Sequence, residues 1–233
     1  PDYVLLPLVG HAQQMPLSCE SRSAVDVAAY WGVHIEEREF FSRLPKTDDP
    51  NTGFVGNVYE RWGQLPPNGY GVHAEPVAGL LRAYGLPAQA RYGMTIEQLE
   101  SELAAKRPVI LWATPRMASQ EVVYYTSAAG AETFAIRYEH TVIAVGYNAG
   151  VIYVVDAATG YRWGYSKQSL VRAWDKLKRM SVVVMPPQAS DAPAASPSHD
   201  ANLTFNSPGP GSRVQVPLEI RGTVQMPNFA SYE

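Results

Sequence analysis

Apolar residues recur at helical spacing through the first hundred positions, then as short strand-like runs from about 108 to 185. In 21–31, Ala24, Val27, Ala28 and Trp31 fall on one helical face, and Gly32 suits the left-handed residue that ends a helix. A second helix is expected over 35–44. Residues 48–72 are dense in Gly and Pro and read as loop. A helix over 76–84 stops at Gly85. Thr95, with Gln98 three positions on, has the form of a capping box for a helix over 96–106. The runs PVILWA (108–113), TVIAVGY (141–147) and VIYVV (151–155) read as strands, the last two joined in a hairpin at Asn148-Ala149-Gly150. A helix over 166–178 and a strand over 181–185 follow, while 114–138 reads as a loop or hairpin. Helices first and strands later is the pattern of an α+β fold.

The composition changes after 185. Residues 186–213 are rich in Pro, Ala, Ser and Gly and carry few large apolar groups. Such a stretch buries too little to offset its ordering entropy, so it reads as a linker without regular structure. Beyond it Val214, Val216, Leu218 and Ile220 alternate with Gln215, Pro217, Glu219 and Arg221, the pattern of a half-buried strand. That strand either docks on the main domain or opens a further module. The expected organisation is a domain over 1–185, a linker over 186–213 and a strand segment over 214–233.

Of the 233 residues, 46% are hydrophobic and 18% charged, enough for a real core. The net charge of −3 argues against a dedicated nucleic-acid partner, which would carry a basic face. A single cysteine, Cys19, allows neither an internal disulfide nor a cysteine-based zinc site, and no metal or cofactor is expected. No run of about 18 apolar residues is present to span a membrane. The chain opens on Pro1 rather than Met, which suits a processed product.

Candidate chemistry gathers at four positions. Cys19 lies directly before the first strong helix, where unpaired backbone N–H groups and the dipole favour thiolate; taken alone, it also fits a small buried hydrophobe. His140 opens one strand and Asp156 closes the next, so the hairpin places them close to opposite one another. A carboxylate there would fix the imidazole tautomer and support its charged form, the orienter–base logic of a thiol enzyme. Alone, the histidine fits a strand cap and the aspartate a turn former. Gln13, six residues before Cys19, can offer an amide to an oxyanion beside the Cys19 N–H; Gln14 is its alternative. His34 and His73 have no metal-ligand spacing, and His11 is given no role.

Gln13-x5-Cys19, a helix after the cysteine, a late His140 strand and the Asp156 hairpin resemble the papain-like cysteine peptidases. The closer resemblance is to the bacteriocin-processing-like peptidases, the thirty-ninth cysteine peptidase family, in its stand-alone bacterial branch. It is carried over about 5–185 by Cys19-Glu20-x-x-Ser23, Asp49-Pro50-Asn51-Thr52-Gly53-Phe54-Val55-Gly56-Asn57, Gly69-Tyr70-Gly71-Val72, Arg107-Pro108-Val109-Ile110 and Glu139-His140-Thr141-Val142 through Gly146-Tyr147 to Asp156. Ser18 stands where Gly often precedes the cysteine and Ala157 where Pro often follows the aspartate; neither change removes a catalytic atom. The resemblance implies a papain-like α+β fold, with an N-terminal helical part carrying the cysteine packed against a C-terminal antiparallel sheet. Cys19 would be nucleophile, His140 base, Asp156 orienter and Gln13 oxyanion donor in a hydrolase acting on a peptide or protein. A catalytically silent peptide-binding module and an amide or isopeptide hydrolase acting on cell-wall material share these residues. In the tail, Ile220-Arg221-Gly222-Thr223-Val224 with Pro227-Asn228-Phe229 and Tyr232 resembles the start of β-sandwich modules of large exported bacterial proteins. That resemblance implies a secreted or surface-exposed bacterial chain with a further β-module downstream.

Overall fold

The computed structural model describes residues 1–187, 202–207 and 221–225. The chain divides into two units, Pro1–Pro187 and Gln188–Glu233. In the first, β1 (Val4–Leu5) leads to α1 (Cys19–Tyr30), α2 (Glu37–Arg43), α3 (Ala74–Ala83), β2 (Ala88–Arg91) and α4 (Ile96–Ala104). Then come β3 (Val109–Ala113), β4 (Val122–Thr126), β5 (Glu132–Ile136), β6 (His140–Tyr147), β7 (Val151–Asp156), β8 (Arg162–Ser166), α5 (Lys167–Asp175) and β9 (Ser181–Val184). The Thr95 cap forms as the sequence indicates: Gln98 N donates to Thr95 Oγ1 at 3.2 Å and Thr95 N to Gln98 Oε1 at 2.9 Å.

The main sheet runs β2-β9-β3-β6-β7-β8, with β1 added to the end of β6. All its pairings are antiparallel. Strand β6 is central and all eight of its residues are buried. Side chains alternate between faces along a strand, so an unbroken buried run means both faces are covered. Helix α1 packs on β6 and β3, α3 on β2 and β9, and α4 and α5 also reach the sheet centre. The two edge strands, β2 (AQAR) and β8 (RWGYS), were not expected. Edges carry polar or Gly-interrupted sequence that blurs the period-two signal.

The β6–β7 hairpin differs from the simple turn geometry in one respect. A bulge between Ala144 and Gly146 sets Asp156 opposite Val142 rather than His140. The freed carbonyl of Val145 is taken by Leu6 N at 2.7 Å. His140 and Asp156 are therefore diagonal neighbours, a spacing that two side chains can bridge.

Segments 48–72 and 114–138 hold each other. The second contains the β4–β5 hairpin, and Asp48 accepts from Tyr125 Oη at 3.2 Å and Ala128 N at 2.6 Å. Asn51 donates to Thr133 Oγ1 at 2.7 Å, and Arg137 to Gly63 O at 3.1 Å. His73, fully buried, stacks on Phe134 at 4.9 Å and donates from Nδ1 to Asn51 Oδ1 at 2.8 Å. Burial, and secondarily Lys178, push its pKa from 6.5 down to about 3. The folded state thus binds fewer protons than the unfolded chain between those values. Stability is whole above pH 6.5 and is lost as pH falls toward about 3, at up to about 1.4 kcal/mol per pH unit. The urea midpoint is expected to drop between pH 7 and pH 5, and replacing His73 by Phe to remove that part of the dependence. An equal drop in the variant would assign it elsewhere.

In the second unit, β10 (Asn202–Ser207) pairs antiparallel with β11 (Arg221–Gln225). Strand β10 corrects the expectation that 186–213 lacks regular structure. Leu203 and Phe205 alternate with Asn202, Thr204 and Asn206, a short period-two run hidden in the composition of the whole segment. Residues 214–220, expected to form a strand, lie outside the described residues.

Candidate active site

Helix α1 begins at Cys19 itself, so the thiol sits at the first helical position with its backbone N–H facing away from the helix ladder. The turn before it is fastened from below. Glu37, first residue of α2, accepts Gln14 N at 2.9 Å and Ser18 Oγ at 2.5 Å through Oε1. Its Oε2 pairs with Arg22, which also holds Asp26 at 2.6 Å, and Asp26 accepts His11 N and Nδ1, both at 2.9 Å. Ser18 adopts φ −111°, a conformation open to any residue, and its hydroxyl is used by Glu37; glycine is not required there.

One cavity brings the expected residues together: Gln13, Cys19 and His140 line it, with Pro16, Leu17, Trp62, Tyr70, Glu139 and Ala158. His140 Nε2 meets Asp156 Oδ1 at 3.0 Å. Burial works against the Asp156 carboxylate, but His140 and the N–H groups of Ala158 and Thr159 outweigh it and hold its pKa below the usual range. Behind the pair, Ser23 Oγ and Thr141 Oγ1 lie 2.9 Å apart and tie α1 to β6. The Trp62 indole stands edge-on to His140 with centroids 6.1 Å apart, packs against Tyr138, and donates to Glu139 O at 3.3 Å.

Two expectations change at this site. Cys19 is not a resting thiolate. Burial first, then Glu20 and Glu139, push its pKa well up, against the weaker pull of Thr141. Its Sγ donates to Glu20 Oε2 at 3.3 Å. The helix N-terminus is present, but desolvation and two acids outweigh it. Gln13 lines the cavity and Gln14 does not. The Gln13 amide, however, donates to Met15 O at 2.9 Å and Pro16 O at 2.8 Å, leaving Oε1 buried without a donor.

Sequence reading gave no role to Glu20, Glu139, Trp62, Gly71 or Glu37. The first two stood in the motifs quoted for the family, yet nothing in their spacing, 119 positions apart, shows that they meet. Cys19, Glu20 and Glu139 are the grouping among the described residues whose ligand-type atoms all lie within 4.8 Å. No helix among the described residues is long and apolar enough to cross a membrane.

The chain matches the family described as "Peptidase_C39 like family" over residues 8–182. No curated protein matches it. Among solved structures, a C39-like peptidase from Bacillus anthracis superposes with a TM-score of 0.69 at 23% identity, covering 79% of this chain and 98% of that one. A double-glycine-motif protease from an AMS/PCAT transporter, in complex with its leader peptide, gives 0.48 at 14% identity, covering 78% and 94%. Xylellain, a cysteine protease from Xylella fastidiosa, gives 0.43 at 12% identity, covering 79% and 85%. The first shares the helix-plus-antiparallel-sheet architecture, which is the papain-like fold expected from the sequence. With three-quarters of its length matched to one family, and its lone cysteine and a histidine lining one cavity, the chain belongs to the C39-like peptidases and is a cysteine peptidase.

Proposed function

We propose that Cys19, His140 and Asp156 form a triad that hydrolyses peptide bonds through a thioester. The observation that carries this is the His140 Nε2–Asp156 Oδ1 contact of 3.0 Å at the wall of the cavity that Cys19 also lines. Asp156 fixes the proton of the imidazole on Nε2 and leaves Nδ1 as a base. Nδ1 takes the Cys19 proton as Sγ attacks the substrate carbonyl, and the imidazolium then gives that proton to the leaving amine. Water attacks the thioester with His140 again as base, releasing the acid and the free thiol. Because Cys19 rests as a thiol, its proton moves when substrate excludes water and the imidazolium–thiolate pair forms against the acyl group.

The oxyanion takes the Cys19 backbone N–H, with the Gln13 amide as second donor once it releases Met15 O or Pro16 O. Trp62, Tyr70, Leu17 and Pro16 make the walls largely apolar, which suits a peptide chain laid across the cleft.

The test is direct. The protein is incubated with an activated peptide ester, quenched in acid and digested. An acyl group is expected on the Cys19 peptide by mass spectrometry and is expected to be absent in Cys19→Ala. A wild-type protein that binds the peptide without acylation would be a silent binding module, and the triad reading would be wrong.

A further inference from the structure

Glu20 and Glu139 are buried, 1% and 3% exposed, and neither is used in the steps above. Glu20 lies on the first turn of α1 and Glu139 directly precedes β6, so they belong to the two elements that carry nucleophile and base. Glu20 is provided for: Oε1 accepts Val72 N at 2.7 Å and Oε2 faces the Cys19 thiol. Both carboxyl oxygens of Glu139 are buried and meet no donor among the described residues. Space is kept for the two acids. A Cβ at Gly71 would land on Glu20 Oε1 and stand 2.8 Å from Glu139 Oε2, and Gly71 adopts φ +142°.

The titratable groups facing this pair are Cys19 from α1, His140 from β6 and Tyr70 from the 48–72 segment. Among the described residues no lysine or arginine pairs with either acid. Two carboxylates in contact, out of water and without a fixed cation, do not both ionise. Glu20 already has two donors supporting its charge, while Glu139 has none, so the proton belongs on Glu139.

We propose that Glu139 is a carboxylic acid that donates to the Glu20 carboxylate, and that this acid pair is a positioning device clamping the nucleophile helix to the strand of the base. Burial raises both carboxyl groups, Glu139 well above its ordinary range with Glu20 as the second cause. As pH rises through that range the proton leaves, a second negative charge appears beside Cys19, and the clamp opens. Activity therefore falls on the alkaline side. Stability falls in the same direction, since the folded state holds a proton that the unfolded chain has already lost above about pH 4.5.

The catalytic arm rests on the triad reading; the spectroscopic and stability arms do not, so their failures are separable. In infrared spectra at neutral pH the wild type is expected to show the carbonyl band of a buried carboxylic acid, lost in Glu139→Gln. From pH 7 to pH 9, above the range in which His73 titrates, the urea midpoint is expected to decline more steeply in the wild type than in Glu139→Gln, whose amide donates to Glu20 at every pH. The alkaline limb of kcat against pH is expected to move up by about a pH unit or more in Glu139→Gln. Glu139→Ala, which removes the donor, is expected to lower kcat by about 10²-fold with little change in KM, the scale for a misplaced reacting group. If Glu139→Ala does not fold, the Gln variant carries the test alone. An acid band that persists in Glu139→Gln, or unchanged pH profiles in that variant, overturns the proposal. Loss of wild-type activity in EDTA also overturns it, because a cation rather than a proton would then join the two acids.

Discussion

His140→Ala lowers kcat nearly as far as Cys19→Ala, on the order of 10⁶-fold if the triad behaves as a unit, whereas Asp156→Ala lowers it by about 10⁴-fold. The ordering follows from what each atom does in the proposed mechanism. Without Sγ there is no thioester. Without the imidazole the thiol keeps its proton, and here that loss is severe, because burial, and after it the neighbouring Glu20, already hold Cys19 as a thiol. Asp156 only fixes which ring nitrogen carries the proton, through one contact of 3.0 Å. A cysteine enzyme whose thiol ionised unaided would tolerate losing its base better than this one. Steady-state kinetics on the three variants checks the ordering. Activity of His140→Ala within tenfold of wild type would mean another base serves Cys19, and Glu20, which accepts the thiol at 3.3 Å, would be the first to examine.

The chemistry that moves along the backbone was legible in the sequence, and the chemistry that arises from folding was not. Helix α4 announces itself through Thr95 and Gln98, because a cap is a contact across three residues. The β6–β7 hairpin is equally local, and it places His140 near Asp156 even though the Ala144–Gly146 bulge shifts the register. Cys19 reads as a helix-start thiol, and its position is right. Its ionisation is set first by burial under residues that arrive from distant parts of the chain, and so could not be read locally. The same separation hid the edge strands. Strand β2 exists because β9 lies beside it, and nothing in Ala88–Arg91 alone says so. The 48–72 and 114–138 segments look like free loops until Asp48, Asn51 and His73 are seen bonded across to the second segment or stacked against it.

Replacing Arg22 by Met costs about 3–5 kcal/mol of folding stability, a large share of the roughly 5–15 kcal/mol that holds a domain folded. Arg22 is the cation between two buried acids. It meets Asp26 at 2.6 Å and Glu37 at 3.2 Å, and the side chains of those acids are 1% and 0% exposed. Methionine keeps the packed stem, so the loss measured is that of the charge and its hydrogen bonds rather than of volume. Both carboxylates would then be buried without a fixed cation. Asp26 would keep His11, whereas Glu37 would keep only Gln14 N and Ser18 Oγ. Adding Glu37→Gln removes one uncompensated charge while leaving an acceptor for those two donors, so the double variant is expected to recover part of the loss. Urea unfolding across the double-mutant cycle measures both effects. A single variant within 1 kcal/mol of wild type, or a double variant worse than the sum of the two singles, would show that the network does not fasten the turn that carries Cys19.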